Sequence, residues 1–461
     1  MCLLTRLPYH EDSSLLFNAL AERPWAVFLD SGHPLAQGGR YDILAADPYM
    51  TLCTFGGETE IEDRSGMRRS RDDPFALVQQ ALGDPCDNDT GLPFCGGAIG
   101  WFGYDLGRRM EPLPCLAQDA ERLPEMAVAL YDWAVVVDHR KRQSWLVGQG
   151  RVPSTRQRWW ELLRLFRRPA PAPRLTPFQV SGPVRSNMDR TAYGRAFDRI
   201  KAYIRDGDCY QVNFAQRFAA PAAGDGWGAY QRLRRLNPAP FSAFVRTPHG
   251  QALSSSPERL LQLHGRRVET KPIKGTRPRG ETPEGDSALA QELSQSPKDQ
   301  AENLMIVDLL RNDIGRVCAP GSVSVPKLFA IESYATVHHM VSTVHGELAE
   351  GRDALDLLRA CFPGGSITGA PKIRAMQIIE ELEPHRRGLY CGSIAYIGYD
   401  GRMDSSITIR TLVYNHGEIR CWAGGGIVHD SQVDEEYRET FDKAAAMLRL
   451  LEMEERLDVG A

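Results

Sequence analysis

The clearest periodicity lies in the C-terminal part of the chain. Phe197, Ile200 and Ile204 share one helical face behind Asp189, which suits an N-cap, and Gly207 suits a C′ position. A helix is expected there. The period then changes. Val212 and Phe214 alternate with Gln211 and Asn213, so a strand is expected over 209–218. Further strands are expected at 241–247, 251–256, 259–264, 391–399, 405–414 and 418–423. Long helices fit 298–315, 371–383 and 434–452, the first opened by Ser296-Pro297. Earlier in the chain, Trp25 to Leu29 and Tyr131 to Val137 read as strands and 156–167 as a short helix. The most apolar stretch, Met126 to Val137, is interrupted by Asp132 and falls far short of a membrane span, so it reads as a core strand. Strands in antiparallel-looking runs favour an α+β fold over a doubly wound sheet.

Arg167-Arg168-Pro169-Ala170-Pro171-Ala172-Pro173 can neither continue a helix nor pair in a central strand. It divides the chain into an N-terminal region, 1–166, a Pro-rich linker or crossing, 167–188, and a C-terminal domain, 189–455.

A chain of 461 residues, 42% apolar, can bury a large core. Its net charge of −4 makes nucleic acid an improbable partner, and clusters such as Arg232, Arg234 and Arg235 read as solvated helix faces. The ten cysteines form no C-x-x-C pair, which disfavours zinc and disulfides and suits a reducing compartment. With no signal-peptide pattern at Met1 to Pro8 and no membrane span, a soluble cytoplasmic protein is expected.

Candidate chemistry begins with carboxylates. Asp299 and Glu302 are three apart on one predicted helix, Glu436 and Glu439 on another, with Lys443 four further on. Facing pairs would suit Mg²⁺; the alternative is that both pairs meet solvent. Phe362-Pro363-Gly364-Gly365-Ser366-Ile367-Thr368-Gly369-Ala370-Pro371-Lys372 feeds a helix. Its backbone amides, hydroxyls and lysine would suit an anion, and a tight turn explains the glycines equally well. Its lysine is misplaced for a P-loop. Gly424-Gly425-Gly426 admits the same two readings. In Lys271-Pro272-Ile273-Lys274-Gly275-Thr276, Lys274 is a nucleophile if burial or a nearby cation lowers its pKa, with Gly275 leaving room beside it; otherwise it is a surface lysine.

Together these strings resemble the chorismate-utilising enzymes, which include anthranilate synthase component I, aminodeoxychorismate synthase component I, isochorismate synthase and salicylate synthase. Ser256-Pro257-Glu258-Arg259, the run from Ala301 to Asp313, Gly369-Ala370-Pro371-Lys372, Ile409-Arg410-Thr411 and the 424–431 glycine segment stand in family order over nearly the whole chain. The resemblance implies two large facing, roughly orthogonal antiparallel sheets with helices outside, in four layers, the N-terminal region contributing strands and 189–455 binding chorismate. It implies Glu302 and Glu439 as Mg²⁺ ligands, with Asp299 and Glu436 behind them. Tyr390, Arg410 and the backbone at Gly425 and Gly426 correspond to a clamp on the enolpyruvyl carboxylate, with Lys443 nearby. Glu258 corresponds to a general acid at the C4 hydroxyl and His339 to a histidine near the ring. Thr276 and Ser366 fall at substrate-binding positions, Ser366 where anthranilate synthases have threonine.

Two positions discriminate within the family. Gln211 stands where isochorismate and salicylate synthases place a water-activating lysine, and an amide cannot serve as that base. Lys274 stands where anthranilate synthases resemble Pro-Ile-Ala-Gly-Thr; the lysine is the aminodeoxychorismate synthase form. It implies covalent addition of Lys274 at C2 of chorismate, then ammonia at C4, giving 4-amino-4-deoxychorismate for para-aminobenzoate and folate. The N-terminal strings from Gly97 to Arg109 and Arg40 to Ile43 also look like this subfamily. No cysteine sits in a G-x-C-x-G frame, so a separate glutamine amidotransferase subunit is expected to supply ammonia. Asn237-Pro238-Ala239-Pro240-Phe241-Ser242 with Leu29-Asp30-Ser31 resembles the family's tryptophan pocket, which implies a lining of Ser31, Pro240, Phe241 and Ser242; plain inter-sheet core is the alternative. The competing activity is anthranilate synthase component I, and the non-enzyme alternative a tryptophan-binding regulatory homologue.

Overall fold

A computed structural model of the chain describes residues 2–36, 38–168, 173–334 and 337–456, with backbone only for 453–456. Residues 169–172 of the expected Pro-rich crossing lie outside the described residues.

The expected α+β architecture is present as two large antiparallel sheets with helices packed on them. The first sheet runs, strand by strand, through Leu3–Leu7, Gln143–Gly148, Trp133–Asp138, Tyr41–Ala45, Val27–Asp30, Phe241–Thr247, Gly250–Ser256, Thr411–Asn415, Glu418–Ile427 and Gln211–Ala223 to Gln179–Val180. The second runs through Ile273–Pro278, Val337–Glu347, Arg267–Thr270, Arg259–His264, Met403–Ile407, Ser393–Gly398, Gly97–Phe102, Met126–Tyr131, Met50–Phe55 and Glu58–Asp63 to Gly66–Ser70. Each sheet mixes early and late strands. Val27–Asp30 pairs with Phe241–Thr247, and Gly97–Phe102 with Ser393–Gly398.

One apolar core lies between the sheets and includes Trp101, Phe102, Val128, Ala215, Tyr390 and Trp422. Fully burying an aliphatic or phenylalanine side chain of this kind contributes roughly 1.5–3 kcal/mol. A second core joins the first sheet to the helices Gly226–Leu236 and Val433–Arg456, and a third joins Arg190–Arg205 to Lys372–Leu382.

The helix expected behind Asp189 spans Arg190–Arg205, with the Asp189 carboxylate accepting from the Ala192 N–H and Gly207 at φ +80°. Three expectations need correction. The run 126–137 is two strands, Met126–Tyr131 in the second sheet and Trp133–Asp138 in the first. Asp132 makes the turn, its carboxylate accepting from the N–H groups of Arg151 and Val152. Continuous apolarity hides this break because both strands are buried on both faces. The single strand expected at 405–414 is also two, Met403–Ile407 and Thr411–Asn415, one in each sheet. The helix expected at 156–167 is likewise two, Pro153–Gln157 and Trp159–Phe166.

Candidate active site

Two places where the chain passes from one sheet to the other frame the site. Glu258 lies between Gly250–Ser256 and Arg259–His264; Arg410 lies between Met403–Ile407 and Thr411–Asn415. The crossings are stitched together. Ile407 N–H donates to the Glu258 carbonyl at 3.0 Å, Ser256 Oγ to the Ile407 carbonyl at 2.5 Å, and Ser255 N–H to the Arg410 carbonyl at 3.0 Å. Arg410 adopts φ +52°, a left-handed conformation that costs a non-glycine residue about 1–3 kcal/mol and that the stitching holds in place. Its guanidinium has no ion-pair or hydrogen-bond partner among the described residues, and burial lowers its pKa.

Glu258 is buried, which pushes its carboxyl pKa up; Lys274 pulls it back, as do hydrogen bonds from the Ser366 hydroxyl and the Ile273 N–H. Burial pushes the Lys274 amine down, opposed by Glu302 and Glu258. Lys274 Nζ donates to the Ser366 carbonyl at 3.2 Å. Lysine and glutamate thus meet across the 362–372 loop. Lys274 belongs to the edge strand Ile273–Pro278, whose register slips at Gly275, φ +76°. The space at Gly275 is not open, contrary to expectation: a Cβ there would come 2.8 Å from Leu293 and 2.9 Å from the Asp299 carboxylate. The helix Pro297–Gly315 therefore presses its first turn on this strand.

That helix brings Glu302 toward Glu439 of Val433–Arg456, close enough for each carboxylate to raise the other's proton affinity. On Glu302, burial, with repulsion from Asp299 and Glu439, outweighs Lys274 and Lys298 and raises the pKa. Glu439, paired with Lys443, is shifted down despite burial. Glu436 is raised by burial, accepts from Ser431 Oγ at 2.6 Å, and leaves its Oε2 buried with no hydrogen-bond partner among the described residues. A Cβ on Gly425 would come 2.8 Å from that oxygen and 3.4 Å from Glu439 Oε1, so both carboxylates rest on the Gly425 backbone. Lys443 Nζ also donates to the Gly424 carbonyl at 3.0 Å. Asp299 pairs with Arg277 at 3.3 Å and also repels Glu302.

Of the remaining expected residues, Gln211 is buried against Gly426, and neither of its side-chain polar atoms has a hydrogen-bond partner among the described residues. His339 Nδ1 lies 2.9 Å from Thr276 Oγ1 on the paired strand; burial, with Arg410 beside it, pushes its pKa to about 4, so the ring is neutral near pH 7. Tyr390 is buried and stacked on Trp422 at 6.1 Å. The 362–372 loop does not offer its lysine to an anion. Lys372 pairs with Asp313 at 2.6 Å, and Thr368 Oγ1 donates to the Gly364 carbonyl. Sequence reasoning missed Lys298, which acts on Glu302, Glu436 and Glu439. Its position one turn before Glu302 was the available signal.

A model of chorismate binding enzymes matches residues 28–449. The chain belongs to the chorismate-binding enzyme family. It is 51% identical to aminodeoxychorismate synthase component 1 of Klebsiella aerogenes over 451 residues, 97% of this chain and 98% of that one. It is 40% identical to anthranilate synthase component 1 of Thermus thermophilus, across 95% and 94% of the two chains. The crystal structure of anthranilate synthase component I from Streptococcus pneumoniae superposes with a TM-score of 0.81 at 33% identity, covering 89% of this chain and 93% of that one.

Within this chorismate-binding fold the acidic cluster can be tested against a cation. Among the described residues no three potential ligands converge on one point. Two glutamates that repel each other and the unpartnered Glu436 oxygen nevertheless fit a hard cation that takes few protein carboxylates and completes its shell with water and substrate oxygens. Ser31, Pro240, Phe241 and Ser242 line a cavity of about 650 Å³ between the first and second sheets. Arg259, Tyr396 and Asp404 form its opposite wall. No described helix is long and apolar enough to cross a membrane.

Proposed function

We infer that the chain is the chorismate-aminating component of an aminodeoxychorismate synthase, converting chorismate and ammonia to 4-amino-4-deoxychorismate on the way to para-aminobenzoate and folate. The observation that carries this reading is Lys274 held beside both Glu258 and Glu302, in a chain half identical to an aminodeoxychorismate synthase component 1. The anthranilate reading is weaker because the Lys274 amine occupies the approach to Ser366 and Glu258. Incubation with chorismate, Mg²⁺ and an ammonium salt should yield the 4-amino product by mass spectrometry; a 2-amino product instead would reassign the activity.

In the proposed mechanism Arg410, Tyr390 and the Gly425–Gly426 backbone hold the enolpyruvyl carboxylate, the unpaired guanidinium offering a bidentate fork. Glu302 and Glu439, with Glu436 and Asp299 behind them, would hold Mg²⁺, which would supply positive charge against the ring carboxylate. Lys274 Nζ adds at C2, the ring double bonds shift, and the C4 hydroxyl leaves as water with a proton from Glu258. Ammonia then adds at C4, the double bonds shift back and the C2–Nζ bond breaks. The incoming nitrogen sheds a proton and the departing lysine nitrogen can take one up. Thr276, neutral His339 and Gln211 line the ring, and Gln211 supplies no base for water.

The ammonia source is proposed to be a partner glutaminase. The purified chain is expected to turn over with ammonium salts and not with glutamine; glutamine-driven product from the chain alone would overturn this. The 650 Å³ cavity is proposed to take tryptophan. Calorimetry should detect its binding, weakened at least about tenfold by Phe241→Ala, since an aromatic wall lost costs about 1.4 kcal/mol or more. Equal affinity in that variant would remove the assignment. Ten unpaired cysteines among the described residues support a cytoplasmic location.

A further inference from the structure

Arg387 is 1% exposed, and nothing in the mechanism uses it. A guanidinium so deep is tolerable only if its donors are matched. Nε donates to Glu383 Oε2 at 2.9 Å and Nη2 to Glu383 Oε1 at 2.6 Å. Nη1 donates to the Ile367 carbonyl at 3.0 Å, and Nη2 also to the Asn213 carbonyl at 2.6 Å. Its two remaining faces meet aromatic rings, Tyr104 at 4.9 Å and Tyr390 at 5.5 Å. Glu383 in turn accepts from the Ala215 N–H at 2.9 Å.

These partners are not scattered. Ile367 follows Ser366, whose carbonyl receives Lys274 and whose hydroxyl meets Glu258. Asn213 and Ala215 belong to the strand that carries Gln211 and pairs with Gly424–Gly426. Tyr390 forms part of the proposed carboxylate clamp. One rigid, planar cation therefore joins the loop that carries Ser366 to the strand that carries Gln211. We propose that Arg387, charge-balanced by Glu383, is a positioning residue that sets the Ser366 contacts of Glu258 and Lys274. The Lys372–Asp313 pair secures the far end of the same loop but touches neither group; beside Ser366 the loop is held by Arg387 at the Ile367 carbonyl and by the Asn213 N–H, which donates to the Thr368 carbonyl at 2.8 Å.

The inference rests on the roles proposed for Glu258 and Lys274. Its assay is chorismate consumption with ammonium, so failure of those roles appears in Lys274→Ala and not in the Arg387 variants. Arg387→Lys keeps the charge opposite Glu383 but cannot reach Glu383, Ile367 and Asn213 together. It is expected to lower kcat at least about tenfold while chorismate KM changes less than about threefold. The double variant Arg387→Lys with Ser366→Ala should fall little below the worse single variant, since both act on one contact. Should Arg387→Lys unfold, Arg387→Met combined with Glu383→Gln removes both charges together and carries the same test. Unchanged kcat per folded enzyme with only a lower Tm would make the arginine purely structural and overturn the proposal. So would a raised KM at constant kcat, or full additivity with Ser366→Ala.

Discussion

Lys274→Ala is expected to slow formation of 4-amino-4-deoxychorismate at least about a hundredfold, because it removes the group that opens the reaction. Burial lowers the lysine's proton affinity and raises that of Glu258. The two pKa values move toward each other, which increases the share of molecules holding a neutral amine and a protonated acid together. Denaturing the wild-type enzyme during turnover should trap an adduct on the peptide containing Lys274, absent in the alanine variant. Arginine at this position should not rescue, since it stays protonated. With the side chain gone, ammonia has access toward Ser366 and Glu258, so residual product should shift toward the 2-amino compound. An undiminished rate of 4-amino product in Lys274→Ala would show that the lysine is only a charge near the ring.

Glu302→Gln and Glu439→Gln are expected to weaken Mg²⁺ binding at least about tenfold, the lower end of what disturbing even an outer-shell partner costs. Direct binding of Mn²⁺, followed by its paramagnetic signal, would measure this without turnover. The two variants should differ in the metal-free state. Removing Glu302 relieves repulsion on Glu439, whereas removing Glu439 breaks the ion pair with Lys443 and leaves that lysine only the Gly424 carbonyl. Wild-type Mn²⁺ affinity in both variants would move the metal elsewhere.

Much of the site was legible as residue types at fixed spacing. Helical pairs such as Asp299/Glu302 and Glu436/Glu439 repeat at one turn, and a strand shows its period through Val212 and Phe214. What could not be read was where a strand changes sheets. The Ile407 to Thr411 crossing has no glycine or proline to mark it, because the turn is made by Arg410 at positive φ, held by contacts to Ser255 that are 155 positions away. Nor could a buried charge announce itself. Arg387 looks like any helix-end arginine until Ile367, Asn213 and Glu383 surround it. The room expected beside Lys274 at Gly275 is filled for a similar reason: the missing side chain admits a helix from 24 residues further on.

The interleaving of early and late strands has a consequence for how the molecule comes off the ribosome. Val27–Asp30, paired early with Tyr41–Ala45, must wait for Phe241–Thr247 as its second neighbour, and Gly97–Phe102, paired early with Met126–Tyr131, must wait for Ser393–Gly398. Pairings this distant along the chain close slowly, and the waiting edges are bare templates for another chain. Neither half can complete a sheet during synthesis, so the nascent N-terminal region stays exposed until nearly the whole polypeptide has emerged. Release of a truncated product ending before residue 393 should leave an aggregation-prone fragment rather than a smaller folded domain, and expression yield should depend on chaperone supply more steeply than the stability of the finished protein would suggest.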